Sequence, residues 1–124
     1  ITKLYDMIEV QELDNISVVK IVSKLYSVDK LILTITKLLE SGTNTIVSFN
    51  SEINIETSLL QRLFTMNVLA IKNKCSFLIA NFTSTQLNII ENSEYSEKFT
   101  FAPTLSEAQD IVYMEEIERE LDLK

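Results

Sequence analysis

An acidic residue and two hydroxyl residues, Glu56-Thr57-Ser58, stand between a polar stretch and a strongly apolar run that begins at Leu59. The apolar run predicts a helix, so these side chains are expected at a helix N-terminus, where backbone N–H groups lack partners and negative charge is favoured. A hydroxyl in that position can cap the helix, and it can equally carry a reversible phosphate. Ser58 and Gln61 have the spacing of a capping box, so the sequence leaves both roles open.

The residues needed for the common kinds of catalysis are missing. The chain contains no histidine, which removes Ser-His-Asp and Cys-His nucleophilic sites and the commonest metal ligand. Gly42 is its only glycine, which removes a glycine-rich phosphate loop and a dinucleotide fingerprint. Glu107 and Asp110 stand on one predicted helix, but no third ligand follows at a useful spacing. The sequence therefore predicts a protein that is not an enzyme, with no cofactor and no metal site.

Length, charge and cysteine content narrow the class of protein. A chain of 124 residues is expected to form one domain, residues 1–124, whose core needs no disulfide or metal. A formal net charge of −7 with scattered lysines argues against a nucleic-acid surface. No apolar run approaches about 18 residues, so no membrane insertion is expected. The single cysteine, Cys75, predicts a small core residue in a reducing compartment, here the cytoplasm.

Strand-like and helix-like patterns alternate along the chain. Apolar and β-branched segments predict strands at 16–22, 45–50, 75–80 and 99–101, after an extended but weakly patterned stretch at 4–12. Apolar residues at helical spacing predict helices at 28–39, stopped by Gly42, and at 58–72, 84–91 and 105–121. The order β-β-α-β-α-β-α-β-α predicts an α/β fold, with a mixed sheet of about five strands packed with four helices.

The predicted helices carry further signals at their ends and on their faces. The capping-box spacing of Ser58 recurs as Thr83 with Gln86 and as Thr104 with Glu107. The helix at 58–72 is apolar nearly all round, so it is buried on several sides or meets a partner. The last helix ends in a run of acids, which is a solvated helix end or faces a basic partner: Glu115, Glu116, Glu118, Glu120 and Asp122.

Three segments, in this order, resemble landmarks of the STAS domain, the fold of bacterial anti-sigma factor antagonists and of the cytoplasmic tails of sulfate transporters. Residues 18–25 (VVKIVSKL) resemble the family's opening strand and Gly-Glu-Leu-Asp turn. Residues 46–59 resemble its next strand, Asp-Ser-Ser-Gly loop and second helix, with Glu-Thr-Ser-Leu in place of the loop sequence. Residues 99–108 (FTFAPTLSEA) resemble its closing strand and helix start. The resemblance implies a divergent, STAS-like single domain in which Leu59 replaces the loop glycine.

The resemblance also implies a site and a partner. Ser58 matches the second hydroxyl of the family loop and is the expected phosphorylation site, with Thr57 as a second candidate. Glu56, Thr57, Ser58 and Leu59, together with Arg62, would form the loop that contacts a protein partner, an anti-sigma factor or a serine-kinase-like protein. Phosphate beside Glu56 would repel a partner surface that fits the unmodified loop.

Three functions from different classes follow. The first is a non-enzymatic regulatory domain of bacterial signalling and transcription, which binds its partner until Ser58 is phosphorylated. The second is a constitutive scaffold subunit of a larger signalling or transport complex, which the loss of the loop glycine favours. The third is an enzyme or small-ligand domain, against which the missing histidine and glycine-rich loops count. The sequence leaves open whether the chain forms a homodimer.

Overall fold

Six strands and four helices make up the part of the chain that the structure, a computed structural model, describes: residues 2–5, as backbone, and 7–122. The strands are β1 (Thr2–Tyr5), β2 (Ile8–Leu13), β3 (Ile16–Ile21), β4 (Asn44–Ser48), β5 (Phe77–Ala80) and β6 (Thr100–Ala102). The helices are α1 (Val28–Glu40), α2 (Thr57–Lys72), α3 (Ser84–Glu91) and α4 (Leu105–Asp122).

The strands form one mixed sheet in the spatial order β1-β2-β3-β4-β5-β6. The first three pair antiparallel, whereas β3 to β6 pair parallel and are joined through α1, α2 and α3. The predicted α/β class and mixed sheet are confirmed. The element order differs in one place, because the stretch predicted as a single extended segment, residues 4–12, overlaps two strands, the end of β1 and most of β2, so the sheet has six strands rather than five.

Each face of the sheet has its own apolar layer. Val19, Val47 and Ile79 stand in register across the central strands and belong to the larger core, which α1, α2 and α3 cover. The residues one position earlier, such as Ile46, face the other way, because neighbouring side chains of a strand alternate between faces. They form a smaller core with Ala108 of α4. The central strands are therefore buried on both sides, which explains their continuous apolar sequences.

The ends of α1 follow from its sequence. The Ser27 hydroxyl accepts a hydrogen bond from the Lys30 N–H and caps the start of the helix. At the other end Gly42 has a φ of 73°, a left-handed conformation that glycine adopts without a Cβ clash. The Gly42 and Thr43 N–H groups donate to the carbonyls of Leu39 and Leu38, which makes a Schellman motif. The predicted stop at Gly42 is confirmed.

The three predicted capping boxes differ in which of their hydrogen bonds the structure contains. Thr83 and Gln86 form a complete box at α3, as predicted. At α4 the Glu107 N–H donates to the Thr104 hydroxyl at 3.2 Å. At α2 the prediction is wrong, because the N-cap residue is Glu56, with no side-chain cap bond, and Ser58 already lies inside the first turn.

The earlier start of α2 has a physical reason in its apolar residues. Ile55 precedes the N-cap and Leu60 is the fourth helical residue, and both are buried in the larger core. These are the two positions of a hydrophobic staple, which sets how the chain enters a helix. Apolar packing on both sides of Glu56 therefore fixes the helix start, and the hydroxyl of Ser58 is not needed for it.

Candidate functional site

The predicted site residues lie near the C-terminal ends of the neighbouring strands β3 and β4. The loops after these strands lead into α1 and α2, so both helix N-termini lie at this end of the sheet. A groove of about 440 Å³ opens between the loops, and we call it the Ser58 groove. Its walls are formed by Lys24, Tyr26, Val28, Asn54, Glu56, Ser58, Leu59 and Arg62.

Ser58 presents an exposed hydroxyl to this groove from the first turn of α2. It does not cap the helix, and within the described residues its hydroxyl makes no hydrogen bond. Glu56 and Thr57 are exposed beside it. The oxygen of Ser58 therefore stands at a helix N-terminus, in contact with solvent and with no role in holding the helix.

Leu59 is buried, unlike the other four predicted contact residues. Its side chain is 4% exposed and belongs to the larger core, and it reaches the Ser58 groove only as part of the inner wall. The predicted loop of four residues is therefore a short exposed stretch, Glu56 to Ser58, followed by a buried anchor. Arg62, one turn further along α2, is exposed on the same side of the helix as Ser58.

Arg62 connects the two helix starts. Its Nη1 atom lies 2.8 Å from Oδ1 of Asp29, which is in the first turn of α1. Both side chains are well exposed, at 42% and 89%, so the pair contributes little to stability. In this pair the guanidinium lies beside the first turn of α1, and Arg62 also lines the groove.

The groove also contains residues that the sequence alone did not single out. Lys24 and Tyr26 come from the loop before α1, and Lys24 brings a second positive charge to the groove beside Arg62. Burial, and to a smaller extent the carboxylate of Glu56, raise the pKa of Tyr26 above its ordinary value. That phenol therefore stays neutral at physiological pH. Only their position between a predicted strand and a predicted helix could have marked these residues.

An apolar surface adjoins the groove. Leu25, next to Lys24, is 78% exposed, and Val22 and Met7 are exposed close by. The Val22 N–H donates to the Met7 carbonyl at 3.0 Å, which ties the turn between β1 and β2 to this loop.

Gln86 holds the loop that carries the site. This side chain is only 3% exposed, and its Nε2 atom donates to the carbonyls of Asn50 at 2.8 Å and Ile53 at 2.9 Å. Its Oε1 atom accepts from the Thr83 N–H, and this bond completes the cap of α3. The loop between β4 and α2 is therefore bound to α3 at Asn50 and Ile53, three residues before Glu56.

The titratable residues outside the Ser58 groove form no metal-binding cluster in the described part of the chain. Among residues 7–122 no group of three or more His, Cys, Asp or Glu side chains could hold a metal ion. Cys75 is buried, with its sulfur 3.8 Å from the Ala70 carbonyl oxygen, and burial raises the pKa of its thiol. No helix in the described part of the chain is long and apolar enough to cross a membrane.

No protein-family model matches the chain, and no curated protein matches it either.

Proposed function

We propose that this chain is a STAS-like protein-binding domain of bacterial cytoplasmic signalling, which works without chemistry of its own. It engages an anti-sigma factor or a serine-kinase-like protein through Glu56, Thr57, Ser58 and Arg62, and phosphorylation of Ser58 releases that partner. The observation that carries this proposal is the Ser58 hydroxyl, which is exposed in a groove and does not cap its helix.

The fold gives the proposal further support. The resemblance implies a strand, a loop and a helix in this order, with the hydroxyl pair at the helix start, and β4, residues 49–56 and α2 follow one another in that order. A kinase needs an accessible hydroxyl, and Ser58 is exposed in the first turn of α2.

The charges around Ser58 indicate how a phosphate would act. It adds about −1.5 to −2 charges at a helix N-terminus, where the helix dipole favours them. Lys24 and Arg62 line the same groove and would attract it, so the fold tolerates the modification. A partner that fits the unmodified groove would instead meet a bulky dianion beside Glu56 and would be repelled.

The proposal is tested by a quantitative pull-down from the native organism with wild type and Ser58→Glu as baits. Ser106→Glu is the matched control, because Ser106 is the exposed second residue of α4, as Ser58 is of α2. We expect a kinase-like or sigma-regulating protein to bind wild type and Ser106→Glu and to be lost with Ser58→Glu. Equal capture by all three baits would contradict the switch.

The second candidate is a constitutive scaffold subunit of a signalling or transport complex. It is favoured by Leu59, whose buried side chain makes the loop shorter and stiffer than a loop with glycine in this position. For this function the same partners should bind wild type and Ser58→Glu, and binding should instead be lost when the exposed apolar residue is changed, as in Leu25→Asp.

A further inference from the structure

The helix α4 is the only helix packed on its face of the sheet within the described residues, and it uses one narrow side to do so. Ala108 and Val112 are its buried residues. Further along, the Arg119 guanidinium donates to the Ser76 hydroxyl at 3.0 Å and to Oδ1 of Asn44 at 3.3 Å. Its middle is held by Glu116, which accepts from the Asn15 side chain at 2.7 Å. The helix is therefore anchored along its length.

The outward side of α4 carries an apolar stripe. Met114, Ile117 and Leu121 are 60%, 58% and 59% exposed. At 3.6 residues per turn they lie about 170° around the axis from Ala108 and Val112. Their spacing of three and then four residues is that of a seam at which two helices pack. We call this stripe the α4 seam.

Acidic side chains border the seam. Glu118 and Glu120 are exposed on its two flanks, and Asp110 lies in line with it one turn earlier. The only basic residue of α4 is Arg119, which is directed to the sheet by its bonds to Ser76 and Asn44. Lys74, which comes from the loop before β5, shares one groove with Glu120 and another with Glu118. The two residues of α4 that directly border the apolar stripe, Glu118 and Glu120, are both acidic and exposed.

We propose that the α4 seam binds an amphipathic helix of a partner protein, whose own apolar seam is flanked by Lys and Arg. The apolar stripes would pack together, and the basic flanks would meet Glu118 and Glu120. A second copy of this chain fits worse, because like charges would face one another across the seam. The partner need not order α4, since its anchors already hold the helix.

This inference is independent of the proposed function at Ser58. The Ser58 groove lies at the ends of helices that cover the other face of the sheet. The two surfaces can therefore be occupied at once, and Ser58→Glu should leave binding at the α4 seam unchanged.

Two synthetic helical peptides test the proposal on the full chain by fluorescence anisotropy. Both have three heptads with Leu at the seam positions, and they carry Lys or Glu at the flanking positions. We expect the Lys peptide to bind at least about tenfold more tightly than the Glu peptide, and added salt to reduce the difference. Replacing Glu118 and Glu120 together by Lys should reverse the preference.

Matched variants locate the contact. Ile117→Ser should weaken the Lys peptide about tenfold, whereas Ile89→Ser, at an exposed isoleucine of α3 on the other face of the sheet, should change nothing. Far-ultraviolet circular dichroism verifies that both variants are folded. The proposal is overturned if neither peptide binds, if both bind equally, or if the two variants lose the same affinity. A dimer of the chain in sedimentation equilibrium that Ile117→Ser dissociates would also overturn it, because the seam would then pair with its own copy.

Discussion

The side-chain amide of Gln86 donates a hydrogen bond to the main-chain carbonyl of Ile53 across 33 positions of sequence, at 2.9 Å. The same amide group reaches the Asn50 carbonyl, so a single buried residue of α3 secures both halves of the loop before α2. The proposed switch depends on this contact. A phosphate on Ser58 can change binding without changing the fold only if the segment that presents Ser58 is held in place.

Replacing Gln86 tests this support. Gln86→Leu would leave the carbonyls of Asn50 and Ile53 without their donor, and we expect a loss of about 2–3 kcal/mol in the free energy of unfolding. Urea denaturation measures it. Gln61→Leu is the control, because Gln61 is exposed on α2, and it should stay within about 0.5 kcal/mol of wild type. If the two variants were equally stable, the buried amide would not be what fixes the loop.

Removing the hydroxyl of Thr83 should cost more stability than removing the hydroxyl of Ser58. Thr83→Ala removes a complete cap and should cost about 1 kcal/mol in thermal or chemical denaturation. Ser58→Ala should cost less than about 0.5 kcal/mol, because Ser58 does not cap α2. An equal cost at the two positions would mean that Ser58 is a structural cap, and the case for a free hydroxyl would fail.

The two arginines that link neighbouring elements should differ in how much stability is lost when each is replaced. Arg119→Met removes a partly buried guanidinium. Two hydrogen bonds that join α4 to the starts of β4 and β5 are lost with it. We expect this substitution to lower the free energy of unfolding by about 1–2 kcal/mol. Arg62→Met breaks only the exposed pair with Asp29 and should cost less than about 1 kcal/mol. A larger loss for Arg62 than for Arg119 would contradict this assignment of roles.

Stability should fall at alkaline pH because of Cys75. Burial raises the pKa of its thiol in the folded state above that in the unfolded chain. The unfolded state therefore releases its proton first, and stability is lost as the pH rises from the unfolded pKa through the folded one. Denaturation between pH 7 and pH 10 measures this loss, and Cys75→Ala should reduce its slope.

The tyrosine of the groove provides the control for that experiment. Burial raises the pKa of Tyr26 as well, so Tyr26→Phe should reduce the slope only at the upper end of the range. If wild type and Cys75→Ala lost stability in parallel up to the tyrosine range, the buried thiol would not be responsible.

Local patterns predicted most of the fold because they act over a few residues. The helical stripe that begins at Val28 and the left-handed stop at Gly42 needed no tertiary information, and the box at Thr83 needed only its Gln86 partner. The hairpin of β1 and β2 was missed, because these strands lack the continuous apolar sequences that mark the central strands. The start of α2 was misplaced because Ile55 and Leu60 decide it through burial in the core.

Only the part of the candidate site that is contiguous in the sequence could be predicted. Glu56, Thr57 and Ser58 are consecutive at the start of α2, and Arg62 lies one turn beyond Ser58, so Ser58 and Arg62 share one side of the helix by their spacing alone. Lys24 and Tyr26 enter the groove from a loop more than thirty residues earlier, which only the parallel pairing of β3 and β4 reveals. Gln86 was predicted as a cap partner, but its contacts with the loop depend on where α3 packs.

The most direct test of the central claim is to map phosphate on the protein purified from its native cells and to compare partner binding by the modified and unmodified forms. The proposed switch predicts phosphate on Ser58, with the unmodified form holding its partner and the phosphorylated form releasing it at unchanged thermal stability. Phosphorylated and unmodified forms that bind the partner equally, or a protein that carries no phosphate on Ser58 under any growth condition, would contradict it.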